Sequence, residues 1–154
     1  SACLVGSEMC IRDRLYTSVP AEFATCLHSD CSKAADCLRH VAYQLLLEES
    51  STFRIVNPKH CNPTNDCKHF RSAKPERYAR GFIGFQENML PKQWLRFKSL
   101  LLQMYGRNTF YVRRRGDVAL SPKEQSAILD ALHKVGITED FEFDAYVDAY
   151  NWYD

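Results

Sequence analysis

The chain has 154 residues, 45% of them hydrophobic, and its 20 Lys and Arg against 19 Asp and Glu leave a net charge of +1. That length is enough for one domain with a real core and short for two of ordinary size. No apolar run approaches the roughly 20 residues of a spanning helix, which excludes a transmembrane helix.

Residues 1–14 stand apart from the rest of the chain. From Cys3 to Arg14 the string resembles the conceptual translation of a transposase sequencing adaptor. No apolar stretch of secretory length supports a signal peptide in its place. The segment is therefore read as non-native and set aside, which places the domain at residues 15–154. It also reduces the native cysteine count from the seven in the sequence to Cys26, Cys31, Cys37, Cys61 and Cys67. Five is an odd number, without the dense regular spacing of a disulfide scaffold, so reduced thiols in a cytoplasmic compartment are expected.

Charge is unevenly spread. Residues 15–58 carry −2, residues 59–115 carry +10 and residues 116–154 carry −7. Such asymmetry speaks about partners more than about fold: the middle third can meet an anion, or the acidic third can cover it.

The first element is a helix from a Ser32 N-cap to about Glu49, with Leu38, Val41, Ala42, Leu45 and Leu46 at helical spacing. Cys26 and Cys31 lie on the loop leading in, and Cys37 in or near the first turns. Thr52 to Val56 is rich in β-branched and aromatic residues and reads as a strand, closed by Asn57-Pro58. Residues 57–80, holding Cys61, Cys67 and three prolines, read as a long loop. A loop of that length in a compact domain is usually functional or pinned, and metal ligation would pin it. A second helix starts at Pro91, carries the apolar stripe Trp94, Phe97, Leu101 and Met104, and stops at Gly106. Thr109 to Arg113 alternates as a strand, with Gly116-Asp117 as a hairpin turn into Val118-Ala119-Leu120. Ser121-Pro122-Lys123-Glu124 combines an N-cap serine, proline at the first helical position and a capping-box glutamate. The helix it opens should bury Ile128, Leu129, Leu132 and Val135 and end at Gly136. Residues 141–154 hold six aromatics, with Tyr146, Val147 and Tyr150 on one face of a short helix that should dock. These elements predict a single α+β domain, mostly helical, with a small antiparallel sheet.

From Tyr16 onward the chain resembles an uncharacterised family of small cysteine-containing proteins from gut Bacteroidales, a domain of unknown function. The resemblance rests on Val19-Pro20 ahead of Cys26-x4-Cys31-x5-Cys37-Leu38-Arg39, on Val56-Asn57-Pro58 and on Cys67-x2-Phe70. It continues through Arg77-Tyr78-Ala79-Arg80-Gly81, Tyr111 before Arg113 and Gly116, Leu120-Ser121-Pro122 with Glu124-Gln125, and Phe143-Asp144-Tyr146. It implies kinship and no activity. In that family proline follows the second cysteine and an aromatic precedes the phenylalanine. Here Ser32 and His69 stand at those places and Cys61 is additional, so the first three cysteines match more directly than the fourth.

The candidate metal ligands are Cys26, Cys31, Cys37 and Cys67, with Cys61, His60 or His69 as substitutes. Soft thiolates select zinc or an iron–sulfur cluster, and a closed four-thiolate site is structural. Unligated thiols buried as small apolar groups are the plain alternative. A nucleophilic cysteine paired with His28, His40 or His69 is a further one, although no spacing singles out a pair. In the basic middle, Arg113, Arg114 and Arg115 at a hairpin tip, with Arg71, Lys74, Arg77 and Arg80, can contact phosphates while Tyr78 or Tyr111 stacks on a base. Otherwise these arginines pair with Asp140, Glu142, Asp144 or Asp148. Arg115-Gly116-Asp117 spells an integrin-type tripeptide but reads as a turn. Glycine-loop, zinc-protease, nucleophile-elbow and two-residue redox templates find no match. The sequence thus points to a cytoplasmic binding or adaptor module with a structural Cys-ligated zinc, a protein partner and no membrane. The alternatives are a nucleic-acid-binding protein using residues 59–115 and an iron–sulfur redox protein.

Overall fold

The computed structural model describes residues 19–61 and 67–153. The segment read as adaptor-derived, residues 1–14, lies outside them. The fold is α+β and mostly helical, with one two-stranded antiparallel sheet among the described residues. Its contacts divide into two compact units: an N-terminal unit that runs to Pro75 and takes back residues 150–153, and a central unit, Glu76–Ala149.

In the N-terminal unit helix α1 spans Leu38–Glu49. It begins later than its periodicity suggests, because Ala34–Asp36 winds as a separate 3-10 turn and Cys37, with φ −98° and ψ 116°, is the extended N-cap in place of Ser32. The first helical N–H has no partner within the helix. Leu38 N–H donates instead to the Arg71 carbonyl at 2.7 Å, and Ala73 N–H returns a bond to Asp36 O at 2.8 Å. Leu38, Ala42 and Leu45 then bury one face with Phe23, against which Val19, Val41, Ala73, Tyr150 and Trp152 pack. The Trp152 ring meets Phe23 edge-on at 4.8 Å.

The expected strand over Thr52–Val56 reduces to one parallel bridge, Thr25 to Ile55. Thr25 N–H bonds Arg54 O at 2.9 Å and Val56 N–H bonds Thr25 O at 2.8 Å, while Cys26 N–H, on the opposite side, bonds the Arg39 carbonyl at 3.0 Å. The expected long loop at 57–80 also holds more order than its composition suggests: a 3-10 turn, Pro58–His60, and strand β1, Glu76–Arg80.

In the central unit β1 pairs antiparallel with β2, Ala145–Ala149, in the register Glu76 to Ala149 through Arg80 to Ala145. β2 replaces the short helix expected there. Cross-strand neighbours decide the matter: the Arg77 guanidinium lies 3.9 Å from the Tyr146 ring centroid across the diagonal of the pair. On the other side of β1, Ala79 exchanges two backbone bonds with Leu120, at 3.0 and 2.7 Å.

Helix α2, Pro91–Tyr105, starts at its proline, with the Gln93 side chain accepting from Leu90 N–H at 3.1 Å. It ends at Gly106 as expected. The strand expected at Thr109–Arg113 is instead helix α3, Arg107–Arg115. Alternation over five residues is a weaker signal than the fully buried Phe110 and the glycine cap at the helix end. Gly116, at φ 81° and ψ 16°, is left-handed. Gly116 N–H reaches Arg113 O and Asp117 N–H reaches Val112 O, each at 3.1 Å. That paired pattern is a Schellman helix end, so Gly116-Asp117 closes a helix and not a hairpin. Helix α4, Pro122–Lys134, carries the expected reciprocal capping box: Glu124 N–H to Ser121 Oγ at 3.3 Å and Ser121 N–H to Glu124 Oε2 at 3.0 Å. Phe82, Phe85, Phe97, Leu101, Phe110, Leu120, Ile128 and Leu132 form the buried core of this unit.

A 3-10 helix, Ile83–Asn88, comes after β1. Its N–H groups at Ile83 and Gly84 are capped by the Asp144 carboxylate at 2.7 and 3.1 Å. Gly81, at φ +73°, admits that carboxylate: a Cβ there would sit 2.7 Å from Asp144 Oδ2. Gly81→Ala is therefore expected to lower stability by more than about 2 kcal/mol, since backbone strain of roughly 1–2 kcal/mol adds to the displaced cap. Ser121→Ala should cost about 1 kcal/mol. Urea denaturation monitored by tryptophan fluorescence and circular dichroism checks both values.

Candidate metal centre

Five cysteines separated widely along the chain line one pocket in the N-terminal unit. Cys26, Cys31, Cys37, Cys61 and Cys67 share it with His28, Lys33, Arg39, His40, His69 and Phe70. Its cavity is about 20 Å³, room for one water-sized guest, which needs roughly 10–15 Å³. Local structure brings each thiol there. Cys37 is the N-cap of α1, which sets its side chain beside the helix start. Asn57 Oδ1 accepts from Lys59 N–H at 3.1 Å and starts the 3-10 turn that delivers Cys61. Phe70 N–H closes a turn onto Cys67 O at 3.0 Å.

Sulfur contacts run through Cys61, which the sequence offered only as a substitute. Cys61 Sγ lies 3.5 Å from Cys26 Sγ and 3.9 Å from Cys67 Sγ. Sulfurs bound about 2.3 Å from a shared tetrahedral zinc sit roughly 3.8 Å apart, so both pair distances match that spacing. Among the described residues, no group of three or more His, Cys, Asp or Glu is placed to hold a metal ion. Cys31 and Cys37 line the pocket, as does His69, whereas His60 is exposed and is not part of the lining. All five cysteines are free thiols. Burial, reinforced by hydrogen bonding with Cys26, pushes the Cys61 thiol up to about 12.

Arg39 is the central cation of the site. Its Nε donates to the His69 carbonyl at 2.9 Å, its Nη1 to the Ala24 carbonyl, and its guanidinium lies 4.7 Å from the Phe23 ring centroid. Burial first, then the charge of Arg71, lowers its pKa, while Cys37, Cys26 and Cys67 act in the opposite direction. Burial, with the charges of Lys68, Arg39 and His60 after it, lowers that of His69. Arg39 was missed as a site residue on sequence grounds, and His40 was weighed only as a partner for a nucleophilic cysteine. Their signal was positional: Cys37-x2-His40 sets a ligand type one helical turn beyond the cap.

Of the arginines singled out in the basic middle, Arg80, Arg113, Arg114 and Arg115 are engaged within the central unit, whereas Arg71 belongs to the N-terminal unit and donates to Asn151 at 3.4 Å. Arg113 makes a two-point contact with Glu124 Oε1, at 2.7 Å from Nη2 and 2.8 Å from Nε. Arg115 pairs with Asp117 at 2.8 Å, and Arg114 donates to Gln86 at 2.8 Å with its guanidinium 5.2 Å from the Trp94 ring centroid. Arg80 donates to Gly116 O at 3.0 Å. The acidic partners are thus Glu124 and Asp117 and not the expected Asp140, Glu142, Asp144 or Asp148. The helical form of residues 107–115 turns Arg113 toward the start of α4, and Asp144 is committed to its cap.

A model of the family of unknown function DUF6078 matches residues 9–152. The chain belongs to DUF6078. The match begins inside the segment read as adaptor-derived, sharing residues 9–14 with it. No curated protein and no solved structure matches the chain. Among the described residues, no helix is long and apolar enough to cross a membrane.

In this DUF6078 chain Arg39 ties two carbonyls and one aromatic face together, and an ammonium cannot reproduce that planar fork. Arg39→Lys is expected to destabilise the N-terminal unit by about 1–3 kcal/mol, the range of a lost hydrogen bond to a charged group. Thermal unfolding, together with hydrogen exchange at the Cys26 and Leu38 amides, checks it.

Proposed function

We propose that this DUF6078 chain is a binding module of the reducing cytoplasm whose N-terminal unit is stapled by a structural zinc held on cysteine thiolates. The observation that carries the reading is the convergence of Cys26, Cys31, Cys37, Cys61 and Cys67 on one ion-sized pocket. Two sulfur pairs within it already have zinc-like spacing. Cys26, Cys61 and Cys67 would hold the metal as thiolates, their protons released to solvent on binding. Zinc supplies there a crosslink among segments that share little apolar surface, and no reaction chemistry. Exposed Leu90 and Leu95, 68% and 66% accessible around the start of α2, support a partner-facing role for the central unit.

Nucleic-acid binding fits less well, because Arg113, Arg114 and Arg115 each have a partner inside their own unit. Free phosphate-binding arginines would produce steeply salt-dependent affinity through counterion release. Filter binding with single- and double-stranded DNA and RNA is expected to show no such dependence, and a steep salt slope abolished by substituting the three arginines with alanine would restore that alternative.

The zinc reading is tested on the full chain purified without chelator. One equivalent of zinc per chain and a colourless solution are expected, with metal content falling to background in Cys26→Ser/Cys61→Ser/Cys67→Ser. Iron with acid-labile sulfide in a brown preparation would replace zinc by a cluster. A metal-free protein that takes up no zinc on addition overturns the reading.

A further inference from the structure

We infer that Cys67, Cys61 and Cys26 form a thiol relay that reacts with a hydroperoxide and ends as a Cys26–Cys61 disulfide. The inference goes beyond the zinc reading and does not rest on it. Cys61 Sγ meets both neighbours, at 3.5 Å from Cys26 Sγ and 3.9 Å from Cys67 Sγ. A disulfide holds its sulfurs about 2.05 Å apart, so either pair has under about 2 Å to close. All three are free thiols, and exposure falls along the line of sulfurs: Cys67 is half-buried, whereas Cys61 and Cys26 are 7% and 8% exposed. The order of reaction follows from that gradient. The outer thiol meets a dissolved oxidant first and the thiol beside it resolves the product, the arrangement of redox-sensing cysteines in reducing compartments. Cys67 is held for this role. Phe70 N–H bonds Cys67 O at 3.0 Å, and Arg39 Nε donates to His69 O at 2.9 Å, which ties the segment carrying Cys67 to α1.

The Cys67 sulfur attacks one peroxide oxygen and the O–O bond breaks. The other oxygen leaves as an alcohol or water with the thiol proton, and Cys67 carries a sulfenic acid. Cys61 then attacks the Cys67 sulfur, the S–O bond breaks, and the hydroxyl leaves as water with the Cys61 proton. Two thiols have lost two electrons and the peroxide has gained them. Cys26 next attacks the Cys61 sulfur, the Cys61–Cys67 bond breaks, and Cys67 takes the Cys26 proton, an exchange without net oxidation. The final pair is the closer of the two, and both its sulfurs are buried away from a soluble reductant. A metal needs the same sulfurs as thiolates, so disulfide formation expels any zinc they hold.

The test treats the full chain with hydrogen peroxide, both as purified and after chelation. Peptide mapping by mass spectrometry after alkylation is expected to find Cys26 linked to Cys61 and Cys67 alkylated. Cys61→Ser should form no internal disulfide and leave on Cys67 a sulfenic acid that a cyclic 1,3-diketone traps. Cys26→Ser should stop at the Cys61–Cys67 disulfide, and Cys67→Ser should slow the loss of the Cys26 and Cys61 thiols. The wild-type map is a readout that stands even if a serine variant fails to fold. A wild-type chain that stays reduced, stops at Cys61–Cys67 or links another pair overturns the inference, as does an unchanged rate in Cys67→Ser. Formation of the disulfide in a chain that never binds zinc overturns the zinc reading alone. Zinc binding without the disulfide overturns the relay alone.

Discussion

The hydrogen bond from Leu38 N–H to the Arg71 carbonyl is the constraint on which the N-terminal unit turns. A helix start buried beside Cys37 and Leu38 cannot leave its first donor dry and unpaired, because each such group costs about as much as a lost hydrogen bond. The chain meets that demand by folding residues 67–73 back across the cap, with Ala73 N–H returning a bond to Asp36 O. The consequence is chemical as well as structural. Once Arg71 is held there, Cys67 and His69 are carried to the pocket that Cys26 and Cys37 line.

Arg39 completes the closure. One guanidinium joins the Ala24 and His69 carbonyls, which come from opposite sides of the pocket in sequence, and stacks on Phe23 of the small core. The same side chain places a positive charge beside thiols that would become negative on ligating a metal. Packing, backbone satisfaction and electrostatics thus meet in one residue. The pocket owes little to apolar burial, since the core of this unit is, among the described residues, four side chains with a few half-buried neighbours. A unit with so small a core gains most from a crosslink.

The central unit obeys different rules. Its core is built of stacked phenylalanines, with Phe82 touching Phe85, Phe97 and Phe110 at centroid distances of 5.7, 6.3 and 6.0 Å. Several of its arginines are engaged locally. Arg113 lies against both Glu124 and the Tyr105 ring, and Arg77 covers Tyr146. A cation held by a carboxylate and an aromatic face is already partly desolvated and paired, and offers less to an external phosphate than composition suggests.

What was legible in the sequence was whatever local chemistry alone can enforce. Helices α2 and α4 announced themselves through Pro91, the Gly106 stop and the Ser121 to Glu124 capping box, because those signals act within one or two turns of their own backbone. The five thiols were visible too, and with them a chemical reason for residues 59–70 to return to the N-terminal cysteines. Tertiary structure decided the rest. Whether residues 107–115 wind or extend depended on where Phe110 found its core. Whether residues 145–149 form a helix or a strand depended on β1, a polar segment with no strand signature of its own. Cys61 became the centre of the sulfur contacts only through a distance of 3.5 Å to Cys26 across 35 residues. Spacing along the chain names the chemical groups, but their convergence is a property of the backbone bonds that fold one segment onto another.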